Sequence, residues 1–101
     1  MNWEEKMRAL LREAQSCRSE VEAGDRLAAC RAIARCLNVM AVSLNGWFWW
    51  LQQADVLTRF NQSELADIYF ELLKLAESLI SLDLKVSKLS QKKIREAAFL
   101  A

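Results

Sequence analysis

The residues with the greatest capacity for chemistry are three cysteines, thirteen carboxylates and fourteen basic side chains. Cysteine thiolates bind metals or attack substrates, and carboxylates serve as general acids, general bases or metal ligands. The chain has no histidine, the side chain that most often acts as a general base or metal ligand near neutral pH. Spacing therefore decides whether the remaining groups form a site.

The cysteines Cys17, Cys30 and Cys36 match neither a zinc motif nor a redox motif. Their odd number argues against a disulfide framework, and each falls on an apolar helical stripe. We interpret all three as small buried hydrophobes in a reducing compartment. We therefore predict no metal site and no cofactor.

The carboxylates of the third helix do not form a catalytic pair. Asp67 and Glu71 share one helix face with Lys74 at 3-4 spacing, which is typical of a solvated face. Bundle di-metal sites need Glu-x-x-His pairs, and phosphate sites need a glycine-rich loop; the sequence has neither. Asp83 lies on an apolar line, where it either pairs with an arginine or marks where the line meets water. We predict no catalytic residue and no small-molecule substrate.

A basic stripe with 3-4-3 spacing follows near the C-terminus. It contains Lys85, Lys88, Lys92 and Arg95. It is either a solubilising face or a contact for nucleic-acid phosphates, in which Arg31, Arg35 and a base-stacking Trp49 would take part. The net charge of the chain is only +1, but residues 54–83 sum to −4 and residues 84–101 to +4. This asymmetry can steer a partner or set how two copies align.

The elements that carry these groups are predicted to be helices. The chain has no proline and two glycines, too few for the many turns of an all-β fold, and 53% hydrophobic residues. Asn2 and Asp25 are suited to cap the first two helices, and Gly24 to end the first. Asn61, which would form a capping box with Glu64, or Ser63 is suited to cap the third. We predict helices over residues 3–23, 26–53 and 64–98, with a short helical turn between Asp55 and Phe60. The fold is expected to be an all-α antiparallel bundle, one domain over residues 1–101.

Coiled-coil-like heptads run through all three helices. The stripe of helix one comprises Trp3, Met7, Leu10, Ala14, Cys17 and Val21. The stripe of helix two comprises Cys30, Ile33, Leu37, Met40, Leu44, Trp47 and Leu51. The stripe of helix three comprises Leu65, Ile68, Leu72, Leu75, Leu79, Leu82, Val86 and Leu89. Helix three is longer than helix one, so part of its face is expected to need a partner outside the chain.

The aromatic segment Trp47–Trp50 points to almost every side of helix two, because successive residues turn by about 100°. Trp47 and Phe48 are expected to face the core. Trp50 continues a line that includes Val39, Ser43 and Gly46, in which every residue before Trp50 except Val39 is small. Either another helix of the chain or a second copy packs closely there. Trp49 lies on the polar face, so it is covered by residues 54–62 or forms part of an interface.

The segment from Trp49 to Leu89 resembles a small archaeal family of all-helical proteins, the domain of unknown function 2153. The resemblance rests on the aromatic-Trp-Leu end of a helix, a short loop and the element Leu82-Asp83-Leu84-Lys85. It implies an all-helical fold and supplies no activity or catalytic residue.

A non-catalytic role is the favoured reading of the sequence. The N-terminus is charged throughout, and the uncharged run over residues 36–51 is short and contains polar residues, so we predict a cytoplasmic protein that does not bind membranes. We predict a self-associating scaffold or adaptor, a homodimer as the first hypothesis. The alternative is a nucleic-acid-binding subunit of a larger ribonucleoprotein assembly.

Overall fold

The structure is a computed structural model that describes residues 2–93. The described chain contains five helices: α1 (Trp3–Gln15), α2 (Arg18–Glu22), α3 (Arg26–Leu51), α4 (Asp55–Arg59) and α5 (Gln62–Lys93). No strand occurs among these residues, which confirms the all-α class. The chain divides into two compact units, Met1–Val56 and Leu57–Ala101.

The first predicted helix is divided into α1 and α2. Asn2 caps α1 as predicted, because its side-chain oxygen accepts the Glu5 N–H at 2.8 Å. The helix then ends at Gln15, where the Ser16 hydroxyl donates to the carbonyl of Glu13 at 2.7 Å. Serine side chains that bond nearby carbonyls compete with regular helix hydrogen bonding. The heptad pattern continues through this break, which is why spacing alone predicted one helix.

The turn between α2 and α3 follows the sequence closely. Gly24 has a φ of +90°, a conformation that disfavours side chains. Asp25 then caps α3 by accepting the Ala28 N–H at 3.0 Å. Both α1 and α2 contact α3, and Trp3 at the start of α1 lies against Gly46 near the end of α3. The first unit is therefore a helical hairpin with α1 and α3 antiparallel.

The second unit consists mainly of the long helix α5. Asn61 and Glu64 form the predicted capping box: Glu64 N–H donates to the Asn61 side chain at 2.9 Å, and Asn61 N–H donates to Glu64 at 3.0 Å. The structure describes α5 through Lys93; the predicted continuation to residue 98 lies outside the described residues.

Few side chains are buried in the described part of the chain. The buried hydrophobic residues there are Cys17, Ala28 and Val56. Cys30 and Cys36 are exposed, so the prediction that all three cysteines are buried is wrong for two of them.

Candidate interaction surfaces

The line of small residues on α3 lies in the contact with α1. If Gly46 carried a Cβ atom, this atom would lie 2.5 Å from the Trp3 indole, closer than atoms can approach. Trp3 therefore packs directly on the glycine. Other members of this face are half-buried: Ala29, Ala32, Val39, Ser43 and Trp50. At Gly46 the close packing is therefore with another helix of the same chain. The predicted roles of Val39, Ser43, Trp49 and Trp50 in an interface with another chain stay predictions.

The contact between Trp3 and Gly46 can be tested by a double-mutant cycle. Gly46→Ala should stabilise α3 by about 1 kcal/mol through helix propensity when Trp3 is replaced by alanine. With Trp3 present, the indole must move, so this gain should shrink or change sign. Urea unfolding of the two single variants and the double variant measures the coupling energy, expected between about 0.5 and 3 kcal/mol. An equal effect of Gly46→Ala in both backgrounds would show that the indole does not rest on this glycine.

The large apolar residues of α3 lie on a different face, roughly a third of a turn from the line that contacts α1. We call this the α3 apolar face; its exposed members are Ile33, Leu37, Met40, Leu44, Phe48 and Leu51. The sequence predicted most of them as core, and Phe48 as facing inward. In the structure the small residues hold the helix contact instead, because they allow α1 to approach closely.

The four residues of the aromatic segment differ in exposure: two are half-buried and two are exposed. Trp47 and Trp50 are half-buried, with their rings edge to face and 5.4 Å between centroids. Trp49 is 65% exposed, and its cover by residues 54–62 or by an interface stays a prediction. Near the end of α3, Phe48, Trp49 and Leu51 are each exposed. Aromatic residues at such exposed positions are frequent anchors of protein contacts.

Arg35 has a structural role in the hairpin. Its Nη1 donates to the sulfur of Cys17 at 2.7 Å, and the Cys17 thiol lies 3.8 Å from the carbonyl oxygen of Glu13. This contact joins the junction between α1 and α2 to the middle of α3. The sequence did not predict this contact, since Cys17 and Arg35 lie on different helices and helical spacing relates only residues of one helix.

The predicted nucleic-acid contacts are distributed over the two units. Arg31 and Arg35 belong to the hairpin, whereas Lys85, Lys88 and Lys92 are exposed on α5. Arg95 lies outside the described residues. On α5 the three lysines form one stripe, as the spacing predicted.

The apolar stripe of α5 is also incompletely covered. Its exposed members are Leu75, Leu79, Leu82 and Leu89, and Leu65, Ile68, Leu72 and Val86 are half-buried. Tyr69 is exposed beside this stripe, with its ring 5.2 Å from that of Phe70. Asp83 is exposed, which supports the reading that its line meets water in the single chain.

Among the described helices, α3 has the length and apolar composition that a membrane span would require. The uncharged run covers only residues 36–51, but the helix extends back to Arg26, so length no longer excludes a span. Length and composition alone do not separate a span from an apolar helix of a soluble assembly.

Comparison with known proteins identifies the family. The model of the family described as "Uncharacterized protein conserved in archaea (DUF2153)" matches residues 1–98. The chain belongs to this family. The match extends well beyond the segment from Trp49 to Leu89 that suggested it. No curated protein and no solved structure matches the chain.

Proposed function

We propose that the protein is a non-catalytic scaffold or adaptor that self-associates through its exposed apolar helix faces. The observation that carries this proposal is the burial pattern: both the α3 apolar face and the α5 stripe expose large side chains, while the buried hydrophobic residues of the described part are the small ones Cys17, Ala28 and Val56. Contiguous exposed apolar surface is typical of sites that contact another macromolecule. A homodimer in the cytoplasm is the first hypothesis.

The hairpin geometry favours a protein partner over a lipid bilayer for the α3 apolar face. Trp3, at the start of α1, packs on Gly46 near the end of α3, so α1 lies alongside the most apolar part of that helix. Within α1, Glu4 and Arg8 form an exposed ion pair at 2.8 Å, and Glu5 and Arg12 are exposed as well. If the hairpin entered a membrane intact, these charges would enter with it, at a cost of several kcal/mol.

Light scattering and sedimentation equilibrium of the intact protein test the proposal. We expect an oligomer at micromolar concentration that dissociates on dilution. A monomer at micromolar concentration would overturn self-association, and would leave another part of the same chain or a different protein to cover the faces. Flotation with neutral and anionic lipid vesicles is the control: recovery of the protein with vesicles would favour a membrane role instead.

Nucleic-acid binding is the second candidate, supported by the exposed lysine stripe of α5. It has less support than self-association, since Arg35 is engaged with Cys17. Phosphate contacts predict binding to single-stranded RNA that weakens as salt is raised.

A further inference from the structure

We propose that two copies of the chain pair through α5 in antiparallel orientation, in one register set by charge. The inference rests on the proposed self-association and specifies its geometry. It uses the apolar stripe, the side chains that flank it on each side, and the exposure of these flanking groups.

The spacing of the α5 stripe is the same in both directions. Its eight residues are separated by steps of 3-4-3-4-3-4-3, symmetric about residue 77. In an antiparallel pair centred there, Leu75 lies opposite Leu79 of the other copy, and Leu65 lies opposite Leu89. A shift by one heptad would leave seam residues at both ends without an apolar neighbour. The centred register therefore buries the whole stripe.

The line on one side of the stripe carries charges that complement each other only in this orientation. Five residues occupy this line at steps of seven: Glu64, Glu71, Ser78, Lys85 and Lys92. Antiparallel helices bring the same flanking line of each copy together. In the centred register, Glu71 meets Lys85 of the other copy, and Glu64 meets Lys92. Symmetry repeats each pair, which makes four ion pairs around Ser78 at the centre.

The line on the other side of the stripe fits the same register. Tyr69 and Asp83 belong to it, with Ala76 between them at the centre. The antiparallel pair brings Tyr69 of one copy next to Asp83 of the other, where the phenol can donate to the carboxylate. Both residues are exposed in the single chain. This contact accounts for the one acid on an apolar line of α5.

A parallel pair does not produce these contacts. In a parallel pair, the line that contains Glu71 in one copy meets the line that contains Tyr69 in the other copy. Each residue of the first line then lies near the residue five positions further along in the other chain. Glu71 would then lie near Ala76, and Lys85 near Ser90. The charges would have no opposite partners across the interface.

The required side chains are accessible in the structure. Glu64, Glu71, Lys85 and Lys92 are all exposed. Glu71 forms an ion pair with Lys74 of its own helix at 3.1 Å, with both side chains about 70% exposed. Glu64 accepts the Asn61 N–H of its capping box. A carboxylate has several acceptor sites, so each can bind a lysine of the other copy as well.

Zero-length carbodiimide coupling of carboxylates to lysines tests the pairing in the intact wild-type protein. Within one helix, Glu71 and Lys85 are about 21 Å apart along the axis, too far for direct coupling. We expect coupled peptides that join Glu71 to Lys85 and Glu64 to Lys92, and mixed isotope labels should show that they come from different chains. An oligomer whose coupled peptides lack these pairs would overturn the antiparallel register but leave self-association intact.

Charge reversal gives an independent test. Glu71→Lys places two like charges opposite each other at two symmetric positions, so the dissociation constant should rise by about tenfold or more at low salt. Adding Lys85→Glu restores opposite charges in the antiparallel pair, and association should recover. Asp67→Lys, which changes the charge equally on the outer face of α5, is the matched control and should have little effect. Failure of the double variant to recover, with α5 still helical by circular dichroism, would overturn the proposal.

Discussion

Replacing Leu37 by asparagine is expected to disrupt the assembly while leaving the hairpin folded. Leu37 is 56% exposed in the single chain, so the substitution removes little of the contact between α1 and α3. In an assembly that covers the α3 apolar face, each buried leucine contributes about 1.5–3 kcal/mol. In a symmetric dimer the loss occurs twice, so the dissociation constant should rise at least a hundredfold. Sedimentation equilibrium measures this change.

Leu27 provides a matched control on the same helix. It is 60% exposed, nearly the same as Leu37, but it points about 80° away from it around the helix. Leu27→Asn should therefore leave association unchanged. If both substitutions weakened association equally, the α3 apolar face would not be the surface that is buried. If neither did, self-association would not involve this face.

Replacing Leu75 by asparagine is expected to have a comparable effect through α5. Leu75 is 67% exposed, and in the antiparallel pair it lies next to the centre of the interface. The two symmetric losses sum to at least about 3 kcal/mol, again roughly a hundredfold in the dissociation constant. Because most helix stability comes from packing, α5 should also lose helicity on dilution, which circular dichroism would detect.

Leu84 is the corresponding control. It is 59% exposed on the side of α5 opposite the stripe, so Leu84→Asn removes a similar side chain from outside the proposed interface. Association and helicity should stay at wild-type values. A variant at Leu84 that dissociates like the one at Leu75 would contradict the assignment of the stripe as the interface.

Local signals predicted the N-terminal caps of α1, α3 and α5, since capping depends on neighbouring residues. Asp25 accepts the N–H three residues on, and Asn61 and Glu64 exchange bonds across one turn, as their residue types indicated. The break at Ser16 was missed, because a single hydroxyl bonding to a carbonyl leaves the apolar spacing unchanged. The contact between Arg35 and Cys17 was also missed, because these residues are far apart in the chain and local spacing does not indicate that they meet.

The amino-acid sequence by itself determined that the chain is helical, that Asn2 and Asp25 cap helices, and which side chains share a face, because all of these follow from composition, caps and periodicity. Only the tertiary structure decided which face of α3 contacts α1. The large apolar residues were the expected choice, since burial of apolar area favours them. In the structure Gly46 and its small neighbours take that place, because Trp3 needs a surface without side chains to approach closely. The large side chains are left exposed on the adjoining face, and spacing alone could not distinguish these two arrangements.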